Sequence, residues 1–298
     1  MDSNNKTVVY LKHGNKKIDF SGLPAMKACG NAMACHEVHT FMVMDQPDDD
    51  TRTAEQWFGE TERRYKEAGK EWNRLYHAKL NAEHSGSAVF EKMATPVLAL
   101  LFRKEPEKFD CDNLHKVVIL QSARHISCND LQTVVEQQNA DMDYFESKGF
   151  RVVRQKIEVL PGNIPSMPQS ADEASKYPSL YFECHIKVEL NDAEHRVQIS
   201  DDEVARLVQI SKRFTKEFGI PVPLSYNVAT TKRKPLQRYL NVRFQGLGMP
   251  EMKQKIKQVQ EAITEEGTFR HVKNIFEGVW ADSNRAMDFG WIDGVKSC

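Results

Sequence analysis

The residues best suited to chemistry lie in the stretch 181–190, YFECHIKVEL. Glu183, His185, Lys187 and Glu189 alternate there with Cys184, Ile186, Val188 and Leu190. A period of two predicts a strand with one buried face, and it puts acid, imidazole, ammonium and acid in a row on the other face. Imidazole titrates near neutrality, so His185 is the candidate general acid or base, with Glu183 or Glu158 as its orienting carboxylate. Other amphipathic stretches add Arg154, Lys156 and Glu158, then Tyr239, Asn241 and Arg243, then His271, Lys273 and Glu277, with Tyr226 and Asn227 closing a further strand. A guanidinium offers two parallel donors and an ammonium a mobile point charge. Lys156, Lys187, Arg243 and Lys273, helped by Glu277, Asn241 and Tyr226, therefore read as a grip for a phosphate or carboxylate. In that reading Glu158 and Glu277 orient the cations. The bland alternative is a solvated sheet face whose cross-strand ion pairs contribute about 0.2–1 kcal/mol each.

Weaker signals surround this row. Cys35, His36 and His39 are metal-ligand types, but a spacing of three along a strand puts the two histidines on opposite faces. No metal or other cofactor is expected. The basic run Lys232–Pro235 is a phosphate contact or a solvated loop. No Walker loop, GxSxG elbow or strand-linked GxGxxG is present. Asp282 and Asn284, in the tail segment 280–292, are candidates to rim the polar face. A histidine on a mid-sheet strand resembles the two-histidine phosphoesterases, whose motif is His-x-Thr/Ser once per lobe. Here His185-Ile186-Lys187 carries lysine at the third position and Leu240-Asn241-Val242 carries no histidine, so the chain is not assigned to them.

Positioning elements follow from periodicity and punctuation. Residues 8–11 and 18–20 flank His13-Gly14-Asn15-Lys16 as a hairpin. Residues 36–44 read as a strand, and Thr53 with Gln56 makes a capping box ahead of a long helix reaching about residue 81. Residues 104–112 are charged and turn-like, and the domain boundary is placed there: 1–112 as a smaller α+β region, 113–298 as the main domain. Beyond it, strand, capped helix and strand recur three times, with Gly149, Gly219 and Gly267 as helix stops. The Pro/Ser-rich stretch 161–178 interrupts the period. Val153-Arg-Gln-Lys-Ile-Glu158 also lies beside Val272-Lys-Asn-Ile-Phe-Glu277, a sign of duplication. The expected fold is α+β: a largely antiparallel sheet of three β-α-β units, ferredoxin-like, with helices on one face and the polar face open.

Composition bounds the function. The chain has 298 residues, 40% hydrophobic and 28% charged, with net charge −1. That balance supports a normal core; a nucleic-acid segment stays open as an anionic ligand but is not supported by the net charge. No apolar run reaches membrane length, the first residues lack a signal-peptide core, and six scattered cysteines form no CxxC pair, so a reduced cytoplasmic setting is expected. The leading expectation is a protein that binds an anionic small molecule or nucleotide on its polar sheet face. The alternatives are a phosphoester-processing enzyme using His185 and a non-catalytic assembly subunit.

Overall fold

Reciprocal side-chain caps open the helices where the sequence places them. In the computed structural model Thr53 N donates to Gln56 Oε1 at 2.9 Å and Gln56 N to Thr53 Oγ1 at 3.3 Å. Ser200 and Glu203 form the same box, with Ser200 N donating to Glu203 Oε2 at 2.7 Å. Each cap contributes on the order of 1 kcal/mol and fixes the first turn. Gly149, Gly219 and Gly267 take φ of 84°, 67° and 83°, the left-handed conformation that ends a helix without a Cβ penalty.

The structure describes residues 10–13, 16–19, 35–47, 49–83, 90–91, 99–101, 117–127, 131–159, 167–192, 194, 196–225 and 236–284. They fall into two units, one of residues 1–166 with 280–285 and one of 167–279 with 286–298. The boundary expected near residue 112, the loop 232–235 and Tyr226 lie outside the described residues.

The first unit begins with the predicted hairpin, β1 (Tyr10–His13) antiparallel to β2 (Lys16–Asp19). Then follow β3 (Cys35–Val43), α1 (Ala54–Glu83), β4 (Phe90–Glu91), β5 (Ala99–Leu101), β6 (Val117–Ser127), α2 (Leu131–Ser147) and β7 (Arg151–Val159). The sheet order is β4-β6-β3-β7, all antiparallel, with β5 also on β6. Trp57, Tyr65 and Ala68 of α1 and Met142 and Phe145 of α2 bury one sheet face against Met42, Leu120 and Val152. Full burial of such side chains contributes about 1.5–3 kcal/mol each. Residues 280–284 dock on β7. Asp282 takes two hydrogen bonds from Arg154, at 2.8 and 2.5 Å, and Ser283 N donates to Gln155 O at 2.9 Å. Asp282 and Asn284 are thus structural partners of β7; the buried Asp282 does not rim an open face.

The second unit comprises α3 (Ala171–Ser175), β8 (Tyr181–Leu190), α4 (Asp201–Phe218), β9 (Leu224–Ser225), β10 (Gln237–Gln245), α5 (Met249–Glu266) and β11 (Phe269–Asp282), whose last three residues count with the first unit. Its order is β11-β8-β10-β9, with β8 antiparallel to β10 and β11. Leu207, Ile210 and Phe214 of α4 and Met252, Ile256, Val259 and Ile263 of α5 supply its buried helix face.

Each unit therefore runs strand, helix, strand, strand, helix, strand, with the first strand between the fourth and third: a ferredoxin-like order. Strand pairing regroups the elements expected as three β-α-β units plus a separate N-terminal region. β3 and α1 join β6, α2 and β7, because β3 hydrogen-bonds both β6 and β7. A helix, α3, also forms inside the stretch expected to be loop, capped by Ser170. No helix among the described residues is long and apolar enough to cross a membrane.

Candidate functional site

The central strand of the second unit forms over the predicted ten residues, with Cys184, Ile186, Val188 and Leu190 buried. Its neighbours fix what meets His185. Glu183 faces Arg243 on β10 and Glu277 on β11; His185 faces Asn241 on β10 and Ile275 on β11; Lys187 faces Tyr239 and Lys273. Asn241, Arg243, Lys273 and Glu277 thus share the face of His185, as the alternation predicts. His271 does not. A one-residue bulge at Val272 turns it away, and its Nε2 lies 2.9 Å from Gln260 Nε2 on α5.

His185 Nδ1 lies 2.5 Å from Asn241 Oδ1, and its Nε2 lies 3.4 Å from Glu277 Oε2 and 4.0 Å from Glu183 Oε1. Asn241 is fixed in turn by donating Nδ2 to Ser225 Oγ at 2.7 Å. Arg243 donates Nε and Nη2 to Glu183 Oε1 at 2.9 and 2.7 Å. Burial works against a charged imidazole here. The hydrogen bond the ring donates to Glu277, the charges of Glu183 and Glu277, and the bond to Asn241 outweigh burial and lift the His185 pKa to about 9. His185 therefore holds its proton at neutral pH. Cys184, on the opposite face, is buried and its thiol is pushed up first by burial, then by the two glutamates, which leaves it inert.

The first unit holds a second constellation that the sequence reading did not assemble. Glu37 and His39 stand on β3, and Glu158 stands directly opposite Glu37 on β7. His39 Nε2 is 2.9 Å from Glu158 Oε2 and 3.6 Å from Glu37 Oε1. Lys156, directly opposite His39, makes an ion pair with Glu158 Oε1. Burial opposes the charge on His39, but the charge and hydrogen bond of Glu158 prevail and raise its pKa. Glu158 and Lys156 thus serve His39, where Glu158 was expected to orient His185. The signal that could have found this set is the repeated text: Glu37-Val38-His39 and Glu183-Cys184-His185 are both acid, apolar residue, histidine in an alternating strand. Pairing His39 with His36 three positions away, instead of with Glu37 two away, obscured it.

Neither constellation lies wholly on an open surface, as the polar face was expected to do. His39, Lys156, Glu158 and Glu183 are buried, while His185, Lys187, Asn241, Arg243 and Glu277 are half-buried and Lys273 is exposed. Lys187 Nζ lies 5.7 Å from the centroid of the Tyr239 ring.

No protein-family model matches the chain, and no curated protein does. Among solved structures, a heme-binding protein from Thermus thermophilus is 11% identical, over 83% of this chain and 91% of that one, with TM-score 0.24. A mutant chlorite dismutase from Candidatus Nitrospira defluvii is 11% identical, over 86% and 94%, with TM-score 0.25. Scores this low carry neither fold nor ligand across, and the topology above stands on the strand pairing alone.

Proposed function

We propose that the polar face of the second unit binds a small ligand bearing a phosphate or carboxylate, a phosphorylated metabolite or a nucleotide. The observation that carries this reading is the pair Lys187 and Lys273, directly opposite each other on adjacent antiparallel strands and on the face of His185. Like charges in directly opposed positions destabilise a strand pair. An anion between them converts that repulsion into two charge-assisted contacts. Arg243 is committed to Glu183 and Lys156 to Glu158, so the two lysines are the grip and the other cations its support.

Catalysis on a phosphoester is the second reading, and the raised pKa of His185 favours it in one form: a general acid that protonates a leaving group. An assembly role finds little support. The exposed large apolar residues among those described are Leu75, Val197 and Val272, from α1, the segment before α4, and β11.

A thermal-shift titration with inorganic phosphate, then with nucleotides and sugar phosphates, tests the binding reading. A ligand at about 100 times its Kd stabilises by about 2.7 kcal/mol. Lys187→Ala and Lys273→Ala are each expected to remove the shift, and shifts unchanged in both variants refute the grip. Product formation abolished by His185→Ala with the thermal shift retained identifies the general acid.

A further inference from the structure

Two strand triads in one chain share more than residue types. In each, the carboxylate of a Glu-x-His strand faces a glutamate on the fourth strand of its unit, Glu37 with Glu158 and Glu183 with Glu277. In each, the fourth strand carries a one-residue bulge, at Val153 between the partners of Phe41 and Met42, and at Val272 between the partners of Lys187 and Val188. Phe41 and Lys187 both lie two residues past the histidine, and both bulges lie five residues before the glutamate. The two sites therefore correspond in register along their first and fourth strands. The match agrees with the shared text Val153–Glu158 and Val272–Glu277.

Of the aligned positions that differ in charge, the one directly opposite the histidine, two residues before the glutamate, is decisive. It is Lys156 in the first unit and Ile275 in the second, each directly opposite the histidine. In the first unit the lysine ammonium is paired with Glu158, and His39 closes on the same carboxylate at 2.9 Å. The second unit has no ammonium at that position, and its site is wider. Asn241, oriented by Ser225, accepts a hydrogen bond from His185 Nδ1, so Nε2 points at the glutamates. Three electron-rich atoms converge there, with Nε2 3.4 Å from Glu277 Oε2 and 4.0 Å from Glu183 Oε1. Arg243 offsets part of the charge on Glu183, and a cation at the point of convergence, a proton on Nε2 or a metal ion, favours it further.

We infer that Glu183, His185 and Glu277 form a site for a divalent transition-metal cation of the manganese-to-zinc class, and that Lys156 fills the equivalent position of the first unit with its own ammonium group. One imidazole and two carboxylates are the donor set those ions accept. Donors about 2.1 Å from a tetrahedral ion stand about 3.4 Å from one another, close to the spacing found. Asn241 on Nδ1 and Arg243 on Glu183 are the outer hydrogen bonds that orient ligands in such sites. Three protein donors leave a coordination position for water or substrate. Neither Lys187 nor Lys273 is needed for the site, so it stands or falls separately from the anion grip.

Cobalt(II) titration of the chelator-treated, tag-free full chain tests it. The expected result is a visible ligand-field spectrum that saturates at one ion per chain and is displaced by zinc. His185→Ala and Glu277→Gln should abolish the spectrum, and Asn241→Ala should weaken binding about 10- to 100-fold. Ile275→Lys copies the first unit and should abolish binding while the far-ultraviolet circular dichroism stays native. Lys156→Ile should raise the stoichiometry to two. If Lys156→Ile fails to fold, Ile275→Lys and His185→Ala decide alone. No cobalt spectrum in the wild-type chain, or undiminished binding in both of these variants, overturns the inference.

Discussion

Protonation of His185 is a stability term as well as a chemical one. An unfolded histidine titrates near 6.5, whereas His185 in the folded chain titrates at about 9. A raised folded value means that the native state binds the proton more tightly. The stabilisation is then fully present below about pH 6.5 and declines as pH rises, until it is gone above about 9. The difference corresponds to on the order of 3 kcal/mol. In chelator-treated protein the thermal midpoint should therefore fall from pH 7 to pH 10, and His185→Gln should flatten that fall; an equally steep fall in the variant refutes the assignment. Asp282 presents a different residue-scale case. It and Arg154 are both buried and joined by two hydrogen bonds, so Asp282→Ala removes the carboxylate that accepts both of them from a buried guanidinium. The expected loss is about 3–5 kcal/mol by chemical denaturation. Replacing both partners with apolar residues of similar volume should cost far less, because it removes the buried cation together with its counter-ion.

At the level of elements, the legible parts were those whose signals are local. Caps and stop glycines located α1, α4 and α5, and strict alternation located β8 to the residue. Strand pairing is not local, so three β-α-β units were expected where hydrogen bonding builds two larger ones with β3 as a central strand. The bulge at Val272 was invisible for the same reason: an extra residue is defined only against a partner strand, and it alone moves His271 off the polar face. Burial of Lys156 and Glu158 was illegible too, since alternation reports two faces but not what covers them. Close approaches share this character. Gly248 caps α5, and a Cβ there would lie 2.5 Å from the backbone carbonyl oxygen of Gln169, beside the bond from Met249 N to Pro168 O at 2.9 Å. Backbone cannot swing aside as a side chain can, so Gly248→Ala should destabilise by about 1–3 kcal/mol in denaturant titrations. A neutral result would mean that the segment 167–170 yields.

Over the whole molecule, each of the two units has its own core, and the aromatic residues divide accordingly. Tyr65, Phe145 and Phe150 cluster in the first unit, with ring centroids 5.9–6.3 Å apart. Phe214, Phe218 and Phe244 cluster in the second, at 5.1 and 5.6 Å. The described tryptophans, Trp57, Trp72 and Trp280, all belong to the first unit. Trp291 falls in 286–298, counted with the second unit, so in a Trp291→Phe background fluorescence reports on the first unit while far-ultraviolet circular dichroism sums both. Phe214→Ala opens a cavity in the second core and should cost about 3–5 kcal/mol there. If each unit is held by its own core, the dichroism transition should broaden toward lower denaturant while the main fluorescence transition keeps its midpoint. Phe145→Ala should do the reverse, moving the fluorescence midpoint. Identical shifts of both signals in both variants would show instead that the chain unfolds in a single cooperative transition.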